Sequence, residues 1–151
     1  MRVAFDTSVL VASIVASHRH HARAHCWLQA VESGSLEGLA SWHAMTETWS
    51  VLTRLPVTPR ITPLTAWGAV RRLRAVLTLL APTERIYRTA LVRCTARALT
   101  SGVVFDAVHL VTAEESGADA MLTFNHADFA RLVDSGSPQI VVPPDPPAVT
   151  L

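Results

Sequence analysis

The 151-residue chain contains no lysine: all thirteen of its basic residues are arginines, set against twelve acidic ones for a formal charge of +1. That near-balance excludes a broad positive field for gathering nucleic acid. Any phosphate contact has to come from a local patch, a task the bidentate arginine fork suits. Cysteine is scarce as well, and Cys26 and Cys94 stand without C-x-x-C spacing, which argues against a disulfide framework or a cysteine zinc site. The six glycines are scattered, and none makes a Gly-rich turn after the first apolar run, which excludes a Rossmann or P-loop phosphate cradle. Long hydrophobic runs are missing: the densest early one, Val9 to Ala16, is interrupted by Ser13 and is too short to cross a bilayer. Arg2 is followed almost at once by Asp6, so a basic leader with a cleavable apolar segment is not expected. The expectation is a soluble cytoplasmic protein with no membrane partner, of a length that suits one domain.

What is present is a succession of short apolar runs alternating with helical patterns. Val3 to Phe5 suits a buried strand that delivers Asp6 to its carboxyl end, where open α/β sheets place ligands. Thr7 and Ser8 can hold the first free N–H groups of a helix over Ser8 to Ala16, a segment whose β-branched residues also permit a strand. A second helix is predicted from about His21 to Ser33, with Ala24, Trp27, Leu28 and Val31 on one face and Gly34 as its stop. Leu36 to Ala40 reads as a strand. Ser41 is the expected N-cap of a third helix, with Trp42, Met45, Trp49 and Leu52 as its apolar stripe and Glu47 opposite, on the solvent side. Pro56, Pro59 and Pro63 make a stiff connection. A fourth helix follows from Thr65 to about Leu80, carrying Trp67, Val70, Leu73 and Leu77, although its last residues also suit a strand. Pro82-Thr83-Glu84 opens a fifth, running to Thr100 before Gly102.

Val103-Val104-Phe105-Asp106 repeats the opening theme of apolar residues leading into an acid, with a helix continuing to Gly117. Ala120 to Phe124 reads as a buried strand, Asn125 to Val133 as a short helix and Gln139 to Val142 as a last strand. Residues 1–142 form the expected domain, and the proline-rich tail 143–151 is expected to be extended and mobile. Strands separated by helices imply a mainly parallel sheet covered on both faces, a three-layer α/β/α domain.

The acids in apolar surroundings are Asp6, Glu47, Asp106 and, less clearly, Asp128. Gathered from separate segments they would repel and raise one another's pKa, so a cluster makes physical sense mainly as a cation site, and hard oxygen donors suit Mg²⁺ or Mn²⁺. Taken singly, each has a plainer reading: Asp6 and Asp106 as helix caps, Glu47 as a solvated residue. The group His18, His20, His21 and His25 has no matching cysteine and no defined tetrahedral set, so it reads as a basic segment facing solvent or substrate rather than as a zinc site. His109, three residues after Asp106, reads as a packed helix residue with a reach into the cleft as the alternative, and the remaining arginines read as solvated helix faces.

Order and context resolve the acids. Asp6 in V-x-F-D-T-S-V-L, Glu47 in T-E-T-W and Asp106 in V-F-D-A-V-H-L, followed by Gly117-Ala118-Asp119 and the segment Leu122 to Phe129, together resemble the PIN-domain nucleases, and more narrowly the VapC toxins of bacterial toxin–antitoxin pairs. The resemblance spans nearly the whole chain except the proline tail. It implies a PIN-like fold and a Mg²⁺- or Mn²⁺-dependent endoribonuclease that cleaves RNA with a metal-activated water, the metal held by Asp6, Glu47 and Asp106. The family often has a fourth acid where this chain has Asn125, with Asp128 three residues later; either is a candidate fourth member. Thr7, Ser8 and Thr123 would orient carboxylates or water. Arg19, His20, His21 and Arg23 become candidate RNA contacts. The implied partners are an RNA substrate, transfer or ribosomal, a small cognate antitoxin and a second copy of the chain in a homodimer. The alternatives are a housekeeping PIN nuclease of RNA processing and a catalytically silent PIN binding module.

Overall fold

The computed structural model describes residues 1–144. Five strands, β1 (Arg2–Phe5), β2 (Glu37–Ser41), β3 (Thr78–Leu80), β4 (Ala120–Leu122) and β5 (Gln139–Val141), form one sheet in the order β3-β2-β1-β4-β5, parallel throughout. The helices are α1 (Thr7–Ile14), α2 (His21–Glu32), α3 (Trp42–Arg54), α4 (Pro63–Val76), α5 (Glu84–Ala96), α6 (Val103–Glu115) and α7 (His126–Ala130). The parallel ladder follows from the connections, each long enough to carry the chain back over the sheet.

The strands alternate their side chains between two cores, as the pleat requires. Val3 and Phe5 of β1, Ala40 of β2 and Ala120 and Leu122 of β4 pack with Val9, Leu10, Leu28 and Leu73 from α1, α2 and α4. Ala4, Leu39 and Met121 face the other way, onto Ile86, Val108, Leu110 and Phe129 from α5, α6 and α7. This is the expected three-layer domain. Because both faces are covered, the strands read as continuous apolar runs rather than as polar–apolar alternation. Gly38 in β2 is required by a close approach: a Cβ there would lie 2.5 Å from Leu77 Cδ2 and 2.8 Å from a Val31 methyl. Gly34 ends α2 with φ +77°, a left-handed conformation that costs glycine little.

Most helix signals act where the sequence put them. Ser41 caps α3 by accepting from Ala44 N–H at 2.9 Å, and Thr83 caps α5 through Ile86 N–H at 3.3 Å. The open choice after α4 resolves to strand β3. Three expectations are corrected. Val103 to Phe105 do not lead into a helix as the β1 run leads into α1; they are themselves the first turn of α6, so Asp106 projects from a helix rather than from a strand end. The fifth helix stops at Ala96, four residues short of Thr100, and the chain turns through Ala98 at φ 53°. The apolar stripe of α3 is rotated: Ala44, Met45, Thr48 and Leu52 are the buried positions, leaving Trp42 and Trp49 more than a third exposed. With the half-exposed Trp67 of α4 they line a shallow apolar groove of about 280 Å³. At the C-terminal end Pro143 is buried and its carbonyl accepts from Arg23 Nε at 2.7 Å. The rest of the proline tail from residue 145 lies outside the described residues.

Candidate active site

The sheet order reverses at β1, whose neighbours are β2 on one side and β4 on the other, so the carboxyl ends of β1 and β4 open a crevice at a topological switch point. Asp6 stands at the end of β1 and is also the N-cap of α1. Its Oδ1 accepts from Thr7 N–H at 2.7 Å. Its Oδ2 accepts from Ser8 N–H at 3.3 Å, Ser8 Oγ at 2.6 Å and Thr123 Oγ1 at 2.9 Å. Ser8 Oγ in turn accepts from Phe124 N–H at 3.0 Å, which ties the end of β4 to α1. Cap and cleft residue are therefore the same side chain: Asp6 is only 3% exposed and is held by backbone and hydroxyl donors.

Asp106, in the first turn of α6, faces the same cleft. Burial, reinforced by the negative charge of Asp6 and more weakly by Asp128 and Glu47, pushes its pKa up to about 7 against the opposing pull of His109. Asn125 Nδ2 donates to Asp106 Oδ2 at 3.2 Å and to Asp128 Oδ2 at 2.8 Å. Both partners are acceptors, so the amide must present its NH₂ to them. Asn125 thus links the two acids as a donor. Asp128 meets the cleft only through that amide, and its other oxygen accepts from Arg131 at 3.1 Å.

Glu47 reaches the cleft from α3 because the buried stripe of that helix runs between the tryptophans on one flank and Glu47 on the other. Its Oε2 accepts from Thr7 Oγ1 at 2.8 Å and lies 2.6 Å from His109 Nε2. Burial works against its ionisation, but the hydrogen bond and charge of His109, with Thr7 and His43 adding, hold its pKa below the ordinary value. His109 is 4% exposed. Burial disfavours its charged form, yet the bond to Glu47 and the charges of Asp6, Glu47 and Asp106 leave its pKa raised. His109 is the residue that sequence reasoning undervalued. The available signal was its position three residues after Asp106, one turn along the same face of α6.

Asp6, Glu47, Asp106, Thr7, Ser8 and Asn125 line one cleft of about 420 Å³, whose outer wall carries His18, Arg19, His20 and Phe124. The His20 ring stacks on Phe124 with centroids 4.4 Å apart, and the Arg23 guanidinium lies 5.5 Å from the centre of the same ring. Of the candidate RNA contacts, Arg19 and His20 therefore reach the cleft, while Arg23 braces Phe124. His21 does not reach it: its Nδ1 bonds to Ala12 O at 2.9 Å, its ring stacks on His25, and it lines a separate cleft beside α4.

Among the described residues no three His, Cys, Asp or Glu side chains stand as a ready-made metal group. Glu47 is held through Oε2 by His109 and Thr7. The donor set nevertheless suits a hard divalent cation. Mg²⁺ takes only one or two direct carboxylates with water completing the octahedron, and Asp106, its pKa raised first by burial and then by the charge of Asp6, is a carboxylate whose ionised form a cation would favour.

The chain matches the family model of the PIN domain over residues 3–134. It is 35% identical over 118 residues to Ribonuclease VapC27 of Mycobacterium tuberculosis, covering 78% of this chain and 80% of that protein. Among solved structures, it resembles M. tuberculosis VapC20, a Sarcin-Ricin loop cleaving toxin, with a TM-score of 0.69 at 20% identity over 90% of this chain and 99% of that one. It also resembles VapBC2 of Rickettsia felis bound to a DNA fragment from its promoter, with a TM-score of 0.67 at 12% identity over 94% and 98% of the two chains. Sheet order, a carboxylate-lined cleft at the switch point and these matches lead to one conclusion: this chain belongs to the PIN-domain family.

Proposed function

We propose that the chain is a Mg²⁺- or Mn²⁺-dependent endoribonuclease acting in the cytoplasm as the toxin of a VapBC-type toxin–antitoxin pair. The observation that carries this reading is the convergence of Asp6, Glu47 and Asp106, from three distant segments, on one cleft, where burial and then the charge of Asp6 raise the pKa of Asp106. The identity to a VapC ribonuclease supports RNA as the substrate.

Asp6 and Asp106 are the residues we assign to hold the ion directly, with Glu47 completing the site and Asn125 and Asp128 as its outer members. When bound, the ion would lower the pKa of water and offset charge gathering on the phosphodiester. The protein's own contribution is positional. Ser8, Thr123 and two backbone N–H groups fix both oxygens of Asp6, so that carboxylate enters the reaction already oriented. Thr7 and His109 hold Glu47. Arg19 and His20, on the outer wall, are placed to meet phosphates flanking the scissile bond.

The solved VapBC assemblies support a small antitoxin as partner, and a homodimer is part of the same reading. Half-exposed Trp42, Trp49 and Trp67 and exposed Leu91 and Val92 leave apolar surface for such contacts. Growth arrest on expression, relieved by a co-expressed small neighbouring protein, is the expected result. Harmless expression of an active nuclease would select the housekeeping alternative instead, and tight partner binding without metal binding or cleavage would select the silent module.

A further inference from the structure

Glu47 and Ser41 lie six residues apart, Ser41 as the N-cap of α3 and Glu47 in its second turn, and His109 of α6 connects them. Ser41 Oγ accepts from Ala44 N–H at 2.9 Å, which leaves its hydroxyl hydrogen to donate. The partner within reach is His109 Nδ1 at 3.1 Å. A neutral imidazole accepting at Nδ1 carries its proton on Nε2, and a charged ring carries one there as well, so in either form the donor toward Glu47 Oε2, 2.6 Å away, is Nε2. Thr7 Oγ1 closes on the same Oε2 at 2.8 Å. Oε2 is therefore committed twice. Oε1 has no hydrogen bond among the described residues, and His43 Nε2 stands 4.0 Å from it.

We propose that His109, oriented by Ser41, is a positioning residue that fixes Glu47 by one oxygen so that only Oε1 is offered to the cleft. This rests on the nuclease reading above and adds to it the hydrogen-bonded series Ser41–His109–Glu47. The helix that carries the acid also carries the hydroxyl that sets the imidazole, so the rotation of α3 and the direction of its carboxylate are coupled.

The test compares His109→Gln with His109→Asn in the intact protein. A Gln amide reaches the Nε2 position and keeps a donor toward Glu47, whereas an Asn amide reaches only the Nδ1 position, toward Ser41. Mn²⁺ titration calorimetry is expected to show His109→Gln close to the unmodified protein and His109→Asn weakened about tenfold or more, with kcat for RNA cleavage falling in step. Two results overturn the proposal: equal Mn²⁺ affinity in all three proteins, or equal damage in the two variants. ¹⁵N NMR of the imidazole in the metal-free protein supplies a readout independent of metal and catalysis. Nε2 bearing the proton across the neutral range is expected, and an unprotonated Nε2 overturns the proposal whatever the titrations show. An unmodified protein that binds no Mn²⁺ and cuts no RNA, yet shows the protonated Nε2, refutes the nuclease reading while leaving the positioning geometry standing.

Discussion

Thr123 Oγ1 donates to Asp6 Oδ2 at 2.9 Å, joining the carboxyl ends of β4 and β1 where the strand order reverses. The two residues are 117 positions apart, and Thr123 is fully buried. The bond makes the sheet's own register responsible for the direction of the acid: Phe5 pairs with Leu122, so the next residue on each strand falls opposite the other.

Thr123→Val keeps the shape and removes the donor. A buried carboxylate that loses one of its donors is expected to cost about 1–3 kcal/mol of stability, read as an earlier midpoint in urea with an unchanged slope. RNA cleavage should fall as well, because Asp6 loses orientation. An unshifted midpoint would show that the hydroxyl does not hold Asp6.

Asp106 predicts an unusual pH dependence in metal-free protein. Its folded pKa of about 7 lies above the ordinary 3.8, so the folded state holds the proton more tightly than the unfolded chain does. Its stabilising contribution is complete below about pH 3.8 and is lost as pH rises through about 7. Asp106→Asn does not titrate and escapes that loss. Relative to the variant, the unmodified protein should lose about 1–2 kcal/mol between mildly acidic and mildly alkaline pH, a figure reduced for solvent screening of a partly exposed group. Chemical denaturation across that range in EDTA measures it; parallel curves contradict it.

Asn125→Asp replaces the amide that bridges Asp106 and Asp128 by a third negative charge. The metal-free variant is expected to melt lower, since like charges in contact repel, and Mn²⁺ should raise its melting temperature by more than it raises that of the unmodified protein. Thermal shift with and without Mn²⁺ decides the matter. A variant as stable as the parent without metal would show that the bridge carries no load.

Arg19→Ala should weaken RNA binding similarly across sequences and lower the salt dependence of log K by roughly 0.7 for one phosphate contact on a single strand. Binding is best measured with Asp6→Asn as the background, so that no RNA is cut. His21→Ala, whose ring lies in a different cleft, should leave the slope unchanged.

The fold was largely legible because its signals are local and agree with one another: apolar runs for β1 and β4, serine and threonine caps at α3 and α5, Gly34 after α2. The misreadings arise where a tertiary contact decides. Val103 to Phe105 have the composition of a strand, but Gly102 precedes a helical turn and the three residues form the first turn of α6, packed with α5 against the sheet. Glu47 looked solvated because tryptophans dominate any hydrophobicity pattern, whereas the small Ala44 and Thr48 are what α3 turns toward the core. For His109 the spacing from Asp106 points to the cleft side of α6, but nothing local shows that its partner is a carboxylate 62 residues away. Among the acids, order along the chain rather than periodicity brought Asp6, Glu47 and Asp106 into one group, and all three line the same cleft.

Metal-dependent cleavage is the central claim, and one comparison tests it most directly: the unmodified protein and Asp6→Asn, each incubated with RNA in Mn²⁺ and again after EDTA. The account predicts internal cleavage by the unmodified protein in Mn²⁺ alone, with loss of activity in EDTA and in the folded variant under both conditions. Equal cleavage by the two proteins in Mn²⁺, or cleavage that survives EDTA, would contradict it.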